Sequence, residues 1–196
     1  MLTRWVLAHK RIVVGFWVVL EIAESHRGPG RCRGLQARRL VLRDRSRRGR
    51  RKFTLDKALG TEALLLGRRS YEFFAATWPS RAGELADRLN SVPKYVVSST
   101  LEDPDWNNAT VLRGEVVDEV SKLERELDGE IVVLGSPQLA RTLIEHDLVD
   151  ELRLMVYPVV LGAGERLFGE TSDQRPVRLV ETRTVADLAY LTYESL

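Results

Sequence analysis

The sequence predicts a single α/β domain whose mixed, mostly parallel sheet is flanked by helices and ends in an antiparallel hairpin. Two short apolar runs, residues 63–66 and 131–134, stop at a glycine and lead into a helical pattern, as in a βα unit. Near the end, residues 177–181 and 188–193 alternate between apolar and polar side chains, as paired strands do. A length of 196 residues fits one such domain with a sizeable core.

The first strand is predicted from an apolar run of nine residues, 12–20. The run is too short to span a bilayer, which takes roughly 20 residues. Basic residues precede it, which leaves a signal peptide as the alternative interpretation. Glu21 and Glu24 argue against that alternative, because they stand where a small-residue cleavage site should lie. We therefore expect a buried strand.

Between the first strand and the hairpin, apolar spacing predicts alternating helices and strands. The predicted elements are a short helix ending at Gly60, a strand over 63–66, a helix that starts near Arg68 and continues through 85–90, a strand from Lys94 that ends in the hydroxyls Ser98, Ser99 and Thr100, a short strand at 111–112, a helix over 115–127, a strand over 131–134, a helix over 137–146 and a strand over 149–156.

Composition and charge exclude several classes of protein. A hydrophobic content of 44% and a charged content of 30% are typical of a soluble globular protein. The single cysteine, Cys32, excludes an internal disulfide and fits a reducing compartment, so we expect a cytoplasmic protein that does not enter a membrane. Cysteine clusters are absent and the three histidines lack ligand spacing, so no metal site is predicted.

Residues 26–52 form an unusual arginine-rich segment within the single domain of residues 1–196. From Arg27 to Lys52 there are twelve basic residues and one acid, Asp44, whereas the chain from Phe53 onward carries a net charge of −10. One interpretation is an arm that binds nucleic acid or another anionic surface. No aromatic residues interleave with the arginines to stack on bases, which makes a nucleic-acid partner the weaker interpretation. The other interpretation is a solvated, poorly ordered loop.

The junction at Gly135 and Ser136 has the pattern of a phosphate-binding turn. A strand ends at a glycine, Ser136 suits the N-cap of the next helix and Pro137 suits its first position. Small residues let a ligand approach the backbone, and the helix N-terminus offers unpaired N–H groups and the positive end of its dipole. The alternative is an ordinary capped βα turn.

Two further strand ends carry polar residues suited to a phosphate. Gly67 is followed by Arg68, Arg69 and Ser70, and arginine binds a phosphate monoester through paired N–H donors. The hydroxyls of residues 98–100 are able to bind phosphate oxygens or simply to cap their turn. Together with the backbone at Gly135, these ends supply the arginines, hydroxyls and backbone N–H groups that a phosphorylated dinucleotide needs as partners for its phosphates. The alternative for each arginine alone is a surface charge.

Four stretches carry a resemblance to a known family: LLLGRRSYEFF, KYVVSSTLEDPDW, IVVLGSPQLARTLIEHDLVDEL and YPVVLGAGERLF. Over residues 53–193 the chain resembles the dihydrofolate-reductase-like superfamily, in particular a stand-alone form of the reductase domain of bacterial riboflavin biosynthesis, the RibD C-terminal branch. The resemblance implies a three-layer fold with helices on both faces of the sheet. Its relatives often pair through their sheets, so a homodimer is expected on this ground alone.

The resemblance further implies an NADPH-dependent reductase that transfers a hydride to a small heterocyclic or carbonyl substrate. It implies that Gly67, Arg68, Arg69 and Ser70 lie along the adenosine ribose and its 2′-phosphate, with Ser98 and Ser99 nearby. It also implies that Leu134, Gly135, Ser136, Gln138 and Leu139 lie along the pyrophosphate and the nicotinamide ribose. Glu21 is the candidate catalytic carboxylate, with a chance acid at a strand end as the alternative. Trp17 and Tyr157 are candidates for the substrate pocket, with core packing as the alternative.

The chain departs from this family at about residues 25–52. Relatives carry a Ser-Leu-Asp-Gly turn after the first strand and then an acidic, aromatic loop, whereas this chain has residues 19–22 (VLEI) followed by the arginine-rich segment. The abrupt change suggests a shifted reading frame or a replacement, which resequencing of the source DNA tests. Two alternative functions remain open: binding of an anionic partner through residues 27–52, and nucleotide binding without catalysis.

Overall fold

The computed structural model describes residues 11–16, 44–158, 167–168 and 174–196. Eight strands in these residues form one sheet: β1 (Arg11–Phe16), β2 (Thr61–Gly67), β3 (Lys94–Val97), β4 (Ala109–Leu112), β5 (Glu130–Leu134), β6 (Glu151–Val156), β7 (Val177–Val185) and β8 (Leu188–Ser195). The described residues also form five helices: α1 (Asp44–Leu59), α2 (Arg68–Ala75), α3 (Glu84–Ser91), α4 (Val116–Glu126) and α5 (Pro137–Glu145).

The strands lie in the order β4-β3-β2-β5-β1-β6-β8-β7. The first six are mutually parallel, and β8 pairs antiparallel with both β6 and β7. The predicted α/β class, with a mostly parallel sheet and a closing antiparallel hairpin, is confirmed. Because β5 lies between β2 and β1, strands that are distant in sequence become neighbours at the centre of the sheet.

Helices cover both faces of the sheet, as the resemblance implied. Ile12 and Val14 of β1 pack in the cluster that contains Leu123 of α4 and Leu143 of α5. Val13, between them, packs on the other face in the cluster that contains Phe74 of α2. Strand side chains alternate between faces, so a central strand covered on both sides must be apolar throughout. This explains the unbroken apolar runs in the sequence.

Helix α1 is longer than the sequence predicts. The apolar residues near its end indicate only a short helix, but α1 begins at Asp44, within the arginine-rich segment. Contacts with β8 and with the turn between β7 and β8 support the helix around Arg50 and Phe53. Phe53 packs edge-to-face on Tyr190, with ring centroids 4.6 Å apart, and Arg50 pairs with Asp187 at 3.5 Å. Arginine has a high helix propensity, but it adds nothing to the apolar periodicity by which a helix is recognised in a sequence.

The helix predicted to run from Arg68 through residues 85–90 is two helices. Helix α2 ends at Ala75 and α3 begins at Glu84, after Gly83, whose φ of 109° lies in a region that other residues rarely adopt. Helix α2 is therefore short, and its N-terminus lies at the carboxyl edge of the sheet.

Lys94, at the start of β3, is a fully buried cation. Its Nζ donates to the backbone carbonyls of Asn90, Val92 and Asn107 at 2.9, 2.7 and 2.9 Å, and it lies 4.4 Å from the Trp106 ring centroid. Burial lowers the pKa of Lys94 to about 8. The ammonium form therefore still predominates at neutral pH, and its three protons match the three carbonyls. Lys94 thus joins the end of α3 to the loop before β4.

Several features singled out in the sequence lie outside the described residues: Trp17, Glu21, residues 26–43 of the arginine-rich segment and residues 159–166 of the stretch YPVVLGAGERLF. Within the described part of the chain, no helix is long and apolar enough to cross a membrane.

Candidate functional site

The three polar strand ends predicted from the sequence lie side by side. β3, β2 and β5 are adjacent and parallel, so their last residues, Val97, Gly67 and Leu134, lie at the same edge of the sheet. In open α/β sheets this carboxyl edge is where ligands bind. The structure therefore brings the predicted junctions together on one edge.

Hydrogen bonds join the β2 and β5 junctions directly. The Gly67 N–H donates to Ser136 Oγ at 2.9 Å, and the Ser136 N–H donates to Ser70 Oγ at 3.0 Å. Ser136 Oγ in turn donates to the Leu134 carbonyl at 3.3 Å. These reciprocal contacts hold the start of α2 against the start of α5, although the two serines are 66 positions apart in the sequence.

Ser136 does not cap α5 with its side chain, which corrects the sequence prediction. It occupies the N-cap position with φ 53° and ψ 58°, and its hydroxyl bonds to β2 and β5 instead of to the helix. Gly135 before it has φ 65°. Two successive left-handed residues turn the chain sharply from β5 into α5.

The first turn of α5 keeps N–H groups that have no intrahelical partner. The first helical bond runs from the Ala140 N–H to the Ser136 carbonyl at 2.9 Å. Pro137 has no N–H, so Gln138 and Leu139 contribute the backbone donors of this turn. The side chains of Leu134 and Leu139 are buried in the core, whereas Gln138 is exposed. A ligand here contacts the two leucines through their backbone.

Arg68 links α2 to the end of β3. Its Nε donates to Glu72 Oε1 at 2.7 Å, and its Nη1 donates to the Thr100 hydroxyl. Both side chains of the ion pair are about half exposed, at 48% for Arg68 and 49% for Glu72. Arg69 is exposed and has no side-chain partner among the described residues. The edge thus carries two accessible guanidinium groups next to a helix N-terminus.

The hydroxyls after β3 have different roles. Ser98 is buried, and its Oγ accepts from the N–H groups of Thr100 and Leu101 at 3.2 and 3.0 Å, so this oxygen caps the turn. Ser99 and Thr100 are exposed. Of the two sequence interpretations for these hydroxyls, the geometry of Ser98 fits the turn cap.

Sequence reasoning missed Arg113, which follows β4 at the same edge. Its Nη2 donates to the Leu101 carbonyl at 2.7 Å, and its Nη1 lies 3.5 Å from the Ser99 carbonyl. Arg113 is exposed beside the loop after β3. The signal was available, because an arginine directly after a short apolar strand repeats the pattern at Gly67 and Arg68.

Tyr71 anchors the loop after β3, which carries the hydroxyls of Ser98, Ser99 and Thr100. Its hydroxyl donates to Asp105 Oδ1 at 3.2 Å and accepts from the Trp106 N–H at 2.9 Å. Burial is the main reason that the pKa of Tyr71 is raised, with the neighbouring Asp105 carboxylate adding to it. The tyrosine therefore stays neutral, as donation to a carboxylate requires, and ties α2 to the loop beyond β3.

Of the predicted substrate residues, only Tyr157 is described. It follows β6 at the same edge, is half-buried and packs against the cluster of Phe53, Met155 and Tyr190 beneath α1. Trp17 and Glu21 lie outside the described residues, so the predicted catalytic carboxylate and aromatic wall stay predictions.

Comparison with known proteins agrees with this architecture. The family model of the RibD C-terminal domain matches residues 43–189. The uncharacterized protein YyaP of Bacillus subtilis (strain 168) is 34% identical over 128 residues, which are 63% of this chain and 68% of YyaP.

Two solved structures share the fold. A protein from Shewanella sp. PV-4 named for riboflavin biosynthesis has a TM-score of 0.64 at 17% identity, covering 94% of this chain and 98% of its own. A pyrimidine reductase-like protein from Corynebacterium diphtheriae has a TM-score of 0.57 at 11% identity, covering 94% and 91%. At such identities the likeness shows the fold alone. The match to the family model decides the assignment: the chain belongs to the RibD C-terminal domain family and has a dihydrofolate-reductase-like fold.

Proposed function

We propose that this chain is an NADPH-dependent reductase that transfers a hydride to a small heterocyclic or carbonyl substrate. The observation that carries the proposal is the hydrogen-bonded junction of Gly67, Ser70 and Ser136. It holds two helix N-termini together at the carboxyl edge of the sheet, with Arg68 and Arg69 on one of them. Membership of the family supports the same activity.

The donors at this edge fit the anionic parts of NADPH. A pyrophosphate is bound well by unpaired backbone N–H groups at a helix N-terminus, which α5 offers at Gln138 and Leu139. A ribose 2′-phosphate is bound well by guanidinium groups, which Arg68 and Arg69 offer. No acidic side chain lies in the turn from Gly135 to Leu139. The charges and donors therefore suit a phosphorylated dinucleotide.

The protein's part in this reaction is to bind and orient. NADPH, when bound, supplies the hydride. The α5 turn would hold the pyrophosphate, and the junction through Ser136 keeps that turn at a fixed position relative to α2. Such positioning contributes to catalysis because reacting atoms must be held in line and at contact distance. Tyr157 follows β6 at the same edge of the sheet, and we propose that it lines the substrate side.

Binding of NADPH to the purified chain tests the proposal. We expect calorimetry to detect NADPH binding, weakened roughly tenfold or more in Arg68→Ala, because charge-assisted hydrogen bonds contribute about 1.5–3 kcal/mol. NADH binding should change far less in this variant. Arg178→Ala removes an exposed arginine of β7 and should bind like wild type.

Two outcomes would count against parts of the proposal. Absence of binding to either nucleotide by folded protein contradicts the nucleotide site as a whole. Binding of NADPH without oxidation by any carbonyl or heterocyclic substrate would support the alternative of a nucleotide-binding protein without catalysis.

We further propose that the partner of this chain is a second copy, docked on one face of β6, β8 and β7. Residues directly opposite each other in paired strands point to the same face. The exposed part of this face carries Leu154, Val156, Val177, Leu179, Thr182, Thr184, Ala189, Leu191, Tyr193 and Ser195, whereas Leu152 at its inner end is buried in the cluster that contains Leu123 and Leu143. None of these is charged, and every charged residue of the three strands lies on the opposite face or at a bulge.

The exposure of this face argues that another chain covers it. Val156, Val177 and Leu179 are 50%, 46% and 50% exposed, which is unusual for a patch with no charge. An uncharged patch meets its own copy across a two-fold axis without repulsion. Sedimentation should therefore show a dimer, and Leu179→Glu should give a monomer. Thr110→Glu, on the far edge strand β4, should remain dimeric. A monomeric wild-type chain at high concentration contradicts this proposal.

A further inference from the structure

Glu72 is the one acidic side chain that contacts an arginine of the candidate site within the described residues. Its carboxylate lies 2.7 Å from Arg68 Nε, one helical turn further along α2. Arg69 has no side-chain partner there, and Arg113 bonds only to carbonyls. Of the three guanidinium groups that the structure describes at this edge, Arg68 alone is paired with a carboxylate of a described residue.

The pairing leaves Arg68 able to bind an anion while Glu72 stays in place. A guanidinium carries five N–H donors. Glu72 takes the one on Nε and Thr100 takes one on Nη1, so the remaining donors on Nη1 and Nη2 stay available. An anion bound there becomes a near neighbour of the Glu72 carboxylate. The carboxylate then repels the anion that the arginine attracts.

Two forms of an adenosine ribose respond in opposite ways to such a pair. A ribose with a free 2′-hydroxyl is typically bound by a carboxylate, whereas a ribose 2′-phosphate is typically bound by arginine. Arg68 and Glu72 present both groups at one point. The carboxylate therefore offsets part of the preference of the arginine for the 2′-phosphate.

We infer that Glu72 is a specificity-determining residue that reduces the preference for NADPH over NADH. This inference rests on the proposed nucleotide site. A phosphate group carries a charge near −2, and repulsion between charges a few ångströms apart at an exposed surface changes affinity by roughly fivefold. The loss of an exposed ion pair has a smaller effect on Arg68 itself. Repulsion of the phosphate therefore outweighs orientation of the arginine.

The test compares dissociation constants of NADPH and NADH for wild type and Glu72→Gln by calorimetry. We expect NADPH to bind about fivefold more tightly to the variant, while NADH binds equally or more weakly. The gain in NADPH affinity should shrink at high salt, because Arg68 and Glu72 are exposed and salt screens exposed charges. Glu126→Gln makes the same charge change at the end of α4 and should leave both constants unchanged.

The possible outcomes distinguish failure of this inference from failure of the proposed nucleotide site. If NADPH binds wild type but Glu72→Gln leaves the ratio of the two constants unchanged, or weakens NADPH binding, the role of Glu72 is refuted and the site survives. If folded wild type binds neither nucleotide, both fall. Retained binding in Glu126→Gln rules out a general effect of net charge.

Discussion

Replacement of Arg153 by methionine is expected to lower the free energy of unfolding by about 3–5 kcal/mol, since removal of one partner leaves buried charge uncompensated. Arg153 donates to both carboxylate oxygens of Glu130, each at 2.7 Å, and its Nε bonds to Glu151. The side chains of Arg153 and Glu151 are only 13% and 8% exposed. The variant would leave two carboxylates without this cation.

The electrostatics around Arg153 support a large effect on the free energy of unfolding. Burial by itself opposes the charge, but the bonds to Glu130 and Glu151 outweigh burial and raise the pKa of Arg153. Arg11 is a poor substitute for the missing cation, because it lies 3.4 Å from Glu151 and is 46% exposed. The network joins β5 to β6 across β1, near the centre of the eight-stranded sheet.

Urea unfolding followed by circular dichroism measures this change, with Arg178→Met as the control. Arg178 is 62% exposed and pairs with Glu194 at 2.9 Å on the same sheet. Exposed pairs contribute about 0–1 kcal/mol, so the control should unfold close to wild type. Equal effects of the two substitutions would refute the role assigned to the buried network.

Replacement of Gly135 by valine is expected to reduce NADPH affinity more than tenfold while the chain still folds. Gly135 has φ 65°, and a β-branched residue at such an angle is strained by about 1–3 kcal/mol. Relief of that strain moves Ser136, whose N–H and hydroxyl hold the junction to Ser70 and Gly67. The turn that offers the backbone donors of α5 would be displaced.

Calorimetry with NADPH measures the effect, and Gly60→Ala is the matched control. Gly60 lies before β2, at the opposite edge of the sheet, and a Cβ there would meet only the Lys57 carbonyl at 3.7 Å, an ordinary contact. Circular dichroism shows whether each variant is folded. Wild-type affinity in folded Gly135→Val would mean that the α5 turn takes no part in binding.

The sequence by itself determined the element types, the family and the three strand ends of the candidate site. These features have local causes: apolar runs of strand length, glycines that stop them, and arginines at the start of α2. They depend on residues within a few positions of each other. Pattern reasoning therefore found Gly67, Arg68 and Gly135 without knowledge of the neighbouring strands.

Only the tertiary structure decided which of these residues meet and what each side chain does. The hydroxyl of Ser136 suits an N-cap, but a β2 amide 69 positions earlier competes for it and binds it. Helix α1 continues before Phe53, where the turn between β7 and β8 offers Arg50 a partner that no local pattern encodes. The pairing of Arg153 with Glu130 likewise requires the strand order β5-β1-β6. Contacts between distant segments form only when the sheet assembles, so their energies are absent from any local stretch of sequence.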